Sequence, residues 1–106
     1  MIEQERPRID PTMAWNLAYV QRINREVADF LFPERSFSSM TMKLYEELGE
    51  VVRDPNDPAE VADAIIMLLD HMDRIGGNAG IEILSKLQTN LERSWIKKDS
   101  GVFQHG

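Results

Sequence analysis

Apolar positions recur along this chain mostly at three- and four-residue steps, the period of an amphipathic helix, and no strand-like alternation persists. A first helix is predicted from Asp10-Pro11 to about Leu31, with Asp10 as N-cap and Pro11 at the first helical position. Trp15, Leu17, Ala18, Ile23, Val27, Phe30 and Leu31 give it apolar faces, and Pro33 ends it. A short polar connection holding Arg35 and Phe37 follows. A second helix is expected from about Met40 to Arg53, with Leu44, Leu48, Val51 and Val52 on one side. Asp54-Pro55-Asn56-Asp57-Pro58 is a strong turn signal. Asp57, Pro58 and Glu60 then fit the N-cap, first position and capping-box place of a third helix, running to about Ile75. Val61, Ile65, Leu68, Leu69, Met72 and Ile75 form its stripe. Gly76-Gly77 stops it. Asn78 caps a fourth helix through about Trp95, striped by Ile81, Leu84, Leu87 and Leu91. Residues 1–10 and 97–106 read as loose ends.

The expected architecture is all-α: about four helices in one domain spanning 1–106, with a helical hairpin as core. The 42% hydrophobic content of the 106 residues argues against disorder. Yet a small domain buries only part of its unfolded surface, and the stripes on helices one and three are too apolar for a lone monomer. Subunit pairing into a four-helix-bundle type homodimer or homotetramer is expected. The absence of cysteine excludes disulfides and thiolate metal sites. The early charges Glu3, Glu5, Arg6 and Arg8 do not suit a secretory leader, and no apolar run approaches a membrane span. A cytoplasmic protein with no membrane partner is expected. A net charge of −6 speaks against nucleic-acid binding. A phosphorylated small molecule remains compatible when metal ions separate the two sets of negative charge.

Charged residues sharpen this picture. Lys43, Glu46, Glu47, Glu50 and Arg53 share one side of the second helix, and Glu60 and Asp63 are surface neighbours at the start of the third. Only nine residues separate Glu50 from Glu60, so the two helices should be antiparallel neighbours with five carboxylates facing each other. Hard divalent cations take oxygen ligands of this kind, and such a cluster stays ionised only with a counter-cation. Glu-Glu-x-x-Glu on a helix is also a common solvated face, so its weight comes from the pairing across the turn. On the fourth helix Lys86, Asn90 and Arg93 share one face, which suits phosphate oxygens as well as an ordinary polar surface. A nucleobase would need an aromatic face and polar edges, for which Trp15, Asn16 and Phe37 are candidates, although core or loop packing is the commoner role for residues of each kind.

Lys43-Leu-Tyr-Glu-Glu-Leu-Gly-Glu50, a short turn, Glu60-Val-Ala-Asp63 and Lys86-x-x-x-Asn90-x-x-Arg93 together resemble the MazG-like all-α nucleoside triphosphate pyrophosphohydrolases. Ser36-Phe37, the Asp54 to Asp57 turn, Asp70 and Arg93-x-Trp95 look like the phage and bacterial dATP/dGTP diphosphohydrolase group within them. The resemblance covers roughly residues 35 to 96. It implies Mg²⁺, or Mn²⁺ in its place, on Glu46, Glu47, Glu50, Glu60 and Asp63. It also implies release of pyrophosphate from a nucleoside triphosphate, with Lys86, Asn90 and Arg93 on the phosphates and Lys43 beside them. Glu47, Glu50 and Asp63 are the expected direct ligands, with Glu46 or Glu60 bridging or acting through a water as general base. Purine deoxynucleotides are slightly favoured. A dUTP or dCTP pyrophosphatase and a non-catalytic helical interaction module are the alternatives.

Overall fold

A computed structural model describes residues 5–106. Residues 1–4, part of the expected loose N-terminus, lie outside the described residues. Four helices follow in chain order: α1 Leu17–Leu31, α2 Phe37–Arg53, α3 Pro58–Arg74 and α4 Ala79–Glu92. Asp10-Pro11 does start a helical turn, but a 3₁₀ turn of three residues. A new cap, Asn16, then opens α1 by accepting a hydrogen bond from the Tyr19 amide. The second helix begins three residues earlier than the apolar pattern predicts. Ser36 and Ser39 form a reciprocal capping box in which serine occupies the place usually held by Glu or Gln. Asp57 caps α3 through the Ala59 amide, as its position predicts, while Glu60 remains available for other work.

The packing centres on the antiparallel hairpin of α2 and α3, with α1 laid against α3. Polar ties fix α1. Gln21 is buried; its amide nitrogen donates to Asp73 and to the Gly77 carbonyl, and its oxygen accepts from the Ala79 amide. Arg35, in the α1–α2 connection, makes a bidentate pair with Asp70 of α3, both bonds at 2.7 Å, and also reaches Asp29 of α1. The Arg35 and Asp70 side chains are 5% and 4% exposed, so this is an interior ion pair clamping three segments together.

Gly76, at φ +82°, ends α3 in the left-handed region. α4 touches the rest of the chain through its first turn, where Ala79 is buried. Its stripe of Ile81, Leu84, Leu87 and Leu91 is exposed. The expected loose C-terminal tail is a correction: Trp95–Lys97 (β1) and Phe103–His105 (β2) pair as an antiparallel hairpin. Gly101, at φ +88°, allows its tight turn. His105, expected in a disordered tail, packs edge-on against Trp95, whose indole N–H donates to the Asn90 carbonyl at the end of α4.

Among the described residues only Ala64, Leu69 and Ala79 are buried apolar groups. The radius of gyration is 16.7 Å, against about 13 Å for a compact chain of this length. No helix among the described residues is long and apolar enough to cross a membrane.

Candidate metal and nucleotide site

The α2–α3 hairpin brings Glu47, Glu60 and Asp63 together, with one carboxylate oxygen from each within 4.8 Å of the others. Helix period explains the convergence. On α3 the two acids are one turn apart at the N-terminal end, and Glu47 lies on the side of α2 that faces them. Its side chain is only 13% exposed, and Lys43, one turn earlier, donates to it at 3.0 Å. The three groups are hard oxygen donors from two rigid elements, the donor set that a divalent cation takes.

Electrostatics point the same way. Desolvation pushes the Glu60 carboxyl above its ordinary range, and the negative charges of Glu50, Asp63, Asp57 and Glu47 push it further. A divalent cation would relieve that repulsion.

The remaining acids stand at different distances from this group. Glu50 is near enough to act on Glu60 but forms its own ion pair with Arg53. Glu46 is exposed on the outer side of α2, 3.7 Å from Lys43. The tightest group therefore contains Glu60 where the sequence reading placed Glu50 among the direct ligands.

Lys86, Asn90 and Arg93 lie far along the chain's geometry. α4 begins at the opposite end of α3, and the fourteen residues from Asp63 to Gly77 span about 20 Å of helix and turn. Within one chain α4 packs on α1 and α3, and Arg93, expected on the same helix face, lies just past its last residue in extended backbone. The candidate base-contacting residues also fall elsewhere. Asn16 is committed to capping α1. Trp15 is 79% exposed before that helix. Phe37 packs on the His71 ring, with centroids 4.9 Å apart, beside a cleft on the other flank of α2.

A feature not visible in the sequence lies next to the acids. Phe32, Pro33, Glu34, Arg35, Ser39, Met40, Lys43 and Met67 enclose a mainly apolar cleft of about 480 Å³. Its signal was obscured because the α1–α2 connection read as a short polar link.

The fold and site define a class: a helical hairpin presenting acids for divalent metal, of the MazG-like all-α kind. A model of the dATP/dGTP pyrophosphohydrolase family matches residues 26–105, and the chain belongs to that family of enzymes. It is 34% identical over 93 residues to the dATP/dGTP diphosphohydrolase of Cyanophage S-2L, covering 83% of this chain and 89% of that protein. It is 32% identical over 90 residues to a Salmonella phage PMBT28 dATP/dGTP diphosphohydrolase, covering 84% of this chain but 31% of that longer protein. A solved structure with a TM-score of 0.76 and 34% identity covers 86% of this chain and 97% of its own. It is the Cyanophage S-2L MazG-like pyrophosphohydrolase bound to dGDP and three catalytic Mn²⁺ ions per active site.

Proposed function

We propose that this chain hydrolyses purine deoxynucleoside triphosphates, dATP and dGTP, between the α- and β-phosphates, releasing the monophosphate and pyrophosphate. The observation that carries the reading is the convergence of Glu47, Glu60 and Asp63 from two helices within 4.8 Å. The names and ligands of the relatives support the reaction and the purine preference.

Glu47, Glu60 and Asp63 would hold the divalent ions, Mg²⁺ or Mn²⁺. Such ions neutralise the triphosphate and lower the pKa of a bound water. Lys43 holds Glu47 in place and keeps a cation at the edge of the acidic group. Glu50 extends the negative wall towards Glu60. Glu46 stays at the periphery, tied to Lys43.

The cations and amide of α4 serve a second copy of the chain. The α3 helix separates the start of α4 from the acids of the same chain, and the apolar stripe of α4 is uncovered, which supports this reading. Pairing of subunits would bury that stripe and bring the polar face of α4 to a neighbouring acidic group, in a homodimer or homotetramer. Each single chain would then be one catalytic domain completed by its partner.

A nucleotide panel assayed for pyrophosphate release in Mg²⁺ and in Mn²⁺ tests the reading. Release from dATP and dGTP ahead of dCTP and dUTP is expected. Pyrimidine preference would contradict the substrate assignment, and absence of pyrophosphate from every nucleotide would contradict the reaction.

A further inference from the structure

The first turn of α4 is held by a side chain from another helix. Gln21 of α1 is 7% exposed. Its amide oxygen accepts from the Ala79 backbone N–H at 2.7 Å, and its amide nitrogen donates to Asp73 Oδ1 at 3.1 Å and to the Gly77 carbonyl at 2.8 Å. Ala79 is the first residue of α4, and its amide is one of those that a helix leaves without an internal partner. Asn78 caps the Ile81 amide from within the same segment, so α1 supplies what the local cap does not. The amide of Gln21 fits in one orientation only. Exchanging its oxygen and nitrogen would set donor against donor at Ala79 and acceptor against acceptor at Asp73 and Gly77.

The same junction is tied to the framework of the acids. Asp73 also accepts from Arg25, Arg25 pairs with Asp29, and Asp29 pairs with Arg35, which clamps the α1–α2 connection to α3. A continuous run of polar contacts therefore joins the base of α4 to the helices that present Glu47, Glu60 and Asp63. Beyond that base the apolar stripe of α4 is exposed within its own chain, so the direction of the helix depends on the junction. Asn90 stands eleven residues after Ala79. That is about 16 Å along the helix, and a tilt of about 10° at Ala79 moves Asn90 by about 3 Å. Such a shift exceeds the tolerance of a hydrogen bond.

We infer that Gln21 is a positioning residue for the reaction: through Ala79 it sets the direction of α4, and so delivers Lys86 and Asn90 to the phosphates held at the acids of a neighbouring copy. The inference rests on the hydrolase reading and the shared site proposed above. It gives a part in substrate binding to a buried residue at the end of α3 opposite Glu60 and Asp63. Methionine matches glutamine in length but offers none of the three bonds. Gln21→Met therefore frees the base of α4 and strands the buried Ala79 amide.

The test is a double-mutant cycle on the full-length protein with Mn²⁺, using Gln21→Met and Lys86→Ala singly and together. KM and kcat for dGTP and the Kd of inorganic tripolyphosphate are measured at a temperature where circular dichroism shows every variant folded. Gln21→Met is expected to raise KM and the tripolyphosphate Kd about tenfold while kcat stays within about twofold, because binding rather than chemistry is lost. In the Lys86→Ala background the same substitution is expected to add less than about threefold, since a side chain that it positions is already gone. Leu69→Ala loosens the α3 core elsewhere and is expected to leave KM at the wild-type level. Should Gln21→Met not fold, Gln21→Asn keeps the amide, is one methylene short of the junction and bears the same test; loss of fold in both shows a purely structural role and overturns the inference. Fully multiplying effects in the double variant, an unchanged KM in Gln21→Met, or an equal rise in Leu69→Ala would also overturn it, while active wild type and a raised KM in Lys86→Ala keep the hydrolase reading. An unchanged KM in Lys86→Ala overturns the shared site and the inference with it, yet leaves pyrophosphate release standing. Inert wild type overturns all three.

Discussion

At the residue scale, the carboxylates of the α2–α3 hairpin stand in sharply different surroundings. Glu47 is partly enclosed and paired, and desolvation, followed by the neighbouring acids, raises the Glu60 pKa. Glu47→Gln and Asp63→Asn remove charge from the metal group but keep shape. Each is expected to abolish measurable pyrophosphate release while circular dichroism shows unchanged helicity; full turnover by both variants would contradict the assignment. Arg35 and Asp70 are a different kind of pair, interior and bidentate. Removing one partner leaves an uncompensated buried charge, so Arg35→Leu should cost about 3–5 kcal/mol in denaturant unfolding. Asp29 belongs to the same cluster. Burial raises its pKa, but hydrogen bonds from Arg35 and Arg25 outweigh burial and leave it below the ordinary 3.8. Its contribution to stability is therefore complete above the unfolded value and fades as pH falls through the lower folded value. The stability gap between wild type and Asp29→Asn should be widest near neutral pH and narrow below about pH 4. The acids of the candidate site and Asp70 were legible as sequence motifs. Gln21 was not, because a lone amide in a helical pattern gives no sign that its three hydrogen bonds will close an interhelical junction.

At the element scale, caps and breakers carried more information than apolar periodicity. Asp57-Pro58 and Gly76-Gly77 bound α3 almost where the sequence places its ends. The start of α2 was hidden because Ser36-Phe37-Ser38-Ser39 looks like a connection, whereas two serine hydroxyls suffice to cap it. Trp95-Ile96-Lys97 and Phe103-Gln104-His105 are too short to register as strands alone, and only their pairing across Gly101 defines them. Gly76 is the position where conformational freedom matters most for the hairpin's far end. A side chain at φ +82° is strained even with open space around it, so Gly76→Ala should destabilise the fold by about 1–2 kcal/mol in thermal unfolding. Equal stability would show that the α3–α4 junction can relax.

At the scale of the whole molecule, the uncovered apolar stripe of α4 and the long 59 Å dimension belong together. The fourth helix leaves its apolar stripe open to any surface that a second copy would bring. The sequence pointed to helices one and three as carrying the excess apolar stripe, whereas the stripe left most open is that of α4, since burial depends on the direction α4 takes after Gly77. Sedimentation equilibrium at micromolar concentration should therefore give a mass of at least two 12.2 kDa chains. Co-refolding of Asp63→Asn with Arg93→Ala should restore activity absent from either alone, because a mixed pair contains one intact composite site. A monomeric mass, or no complementation between variants that do associate, would contradict the shared site. The central claim is that acids from α2 and α3 grip the same divalent ions, and anomalous scattering from Mn²⁺-soaked crystals tests it most directly. Strong peaks coordinated jointly by Glu47, Glu60 and Asp63 are predicted; manganese bound elsewhere, with these three side chains unligated, would contradict it.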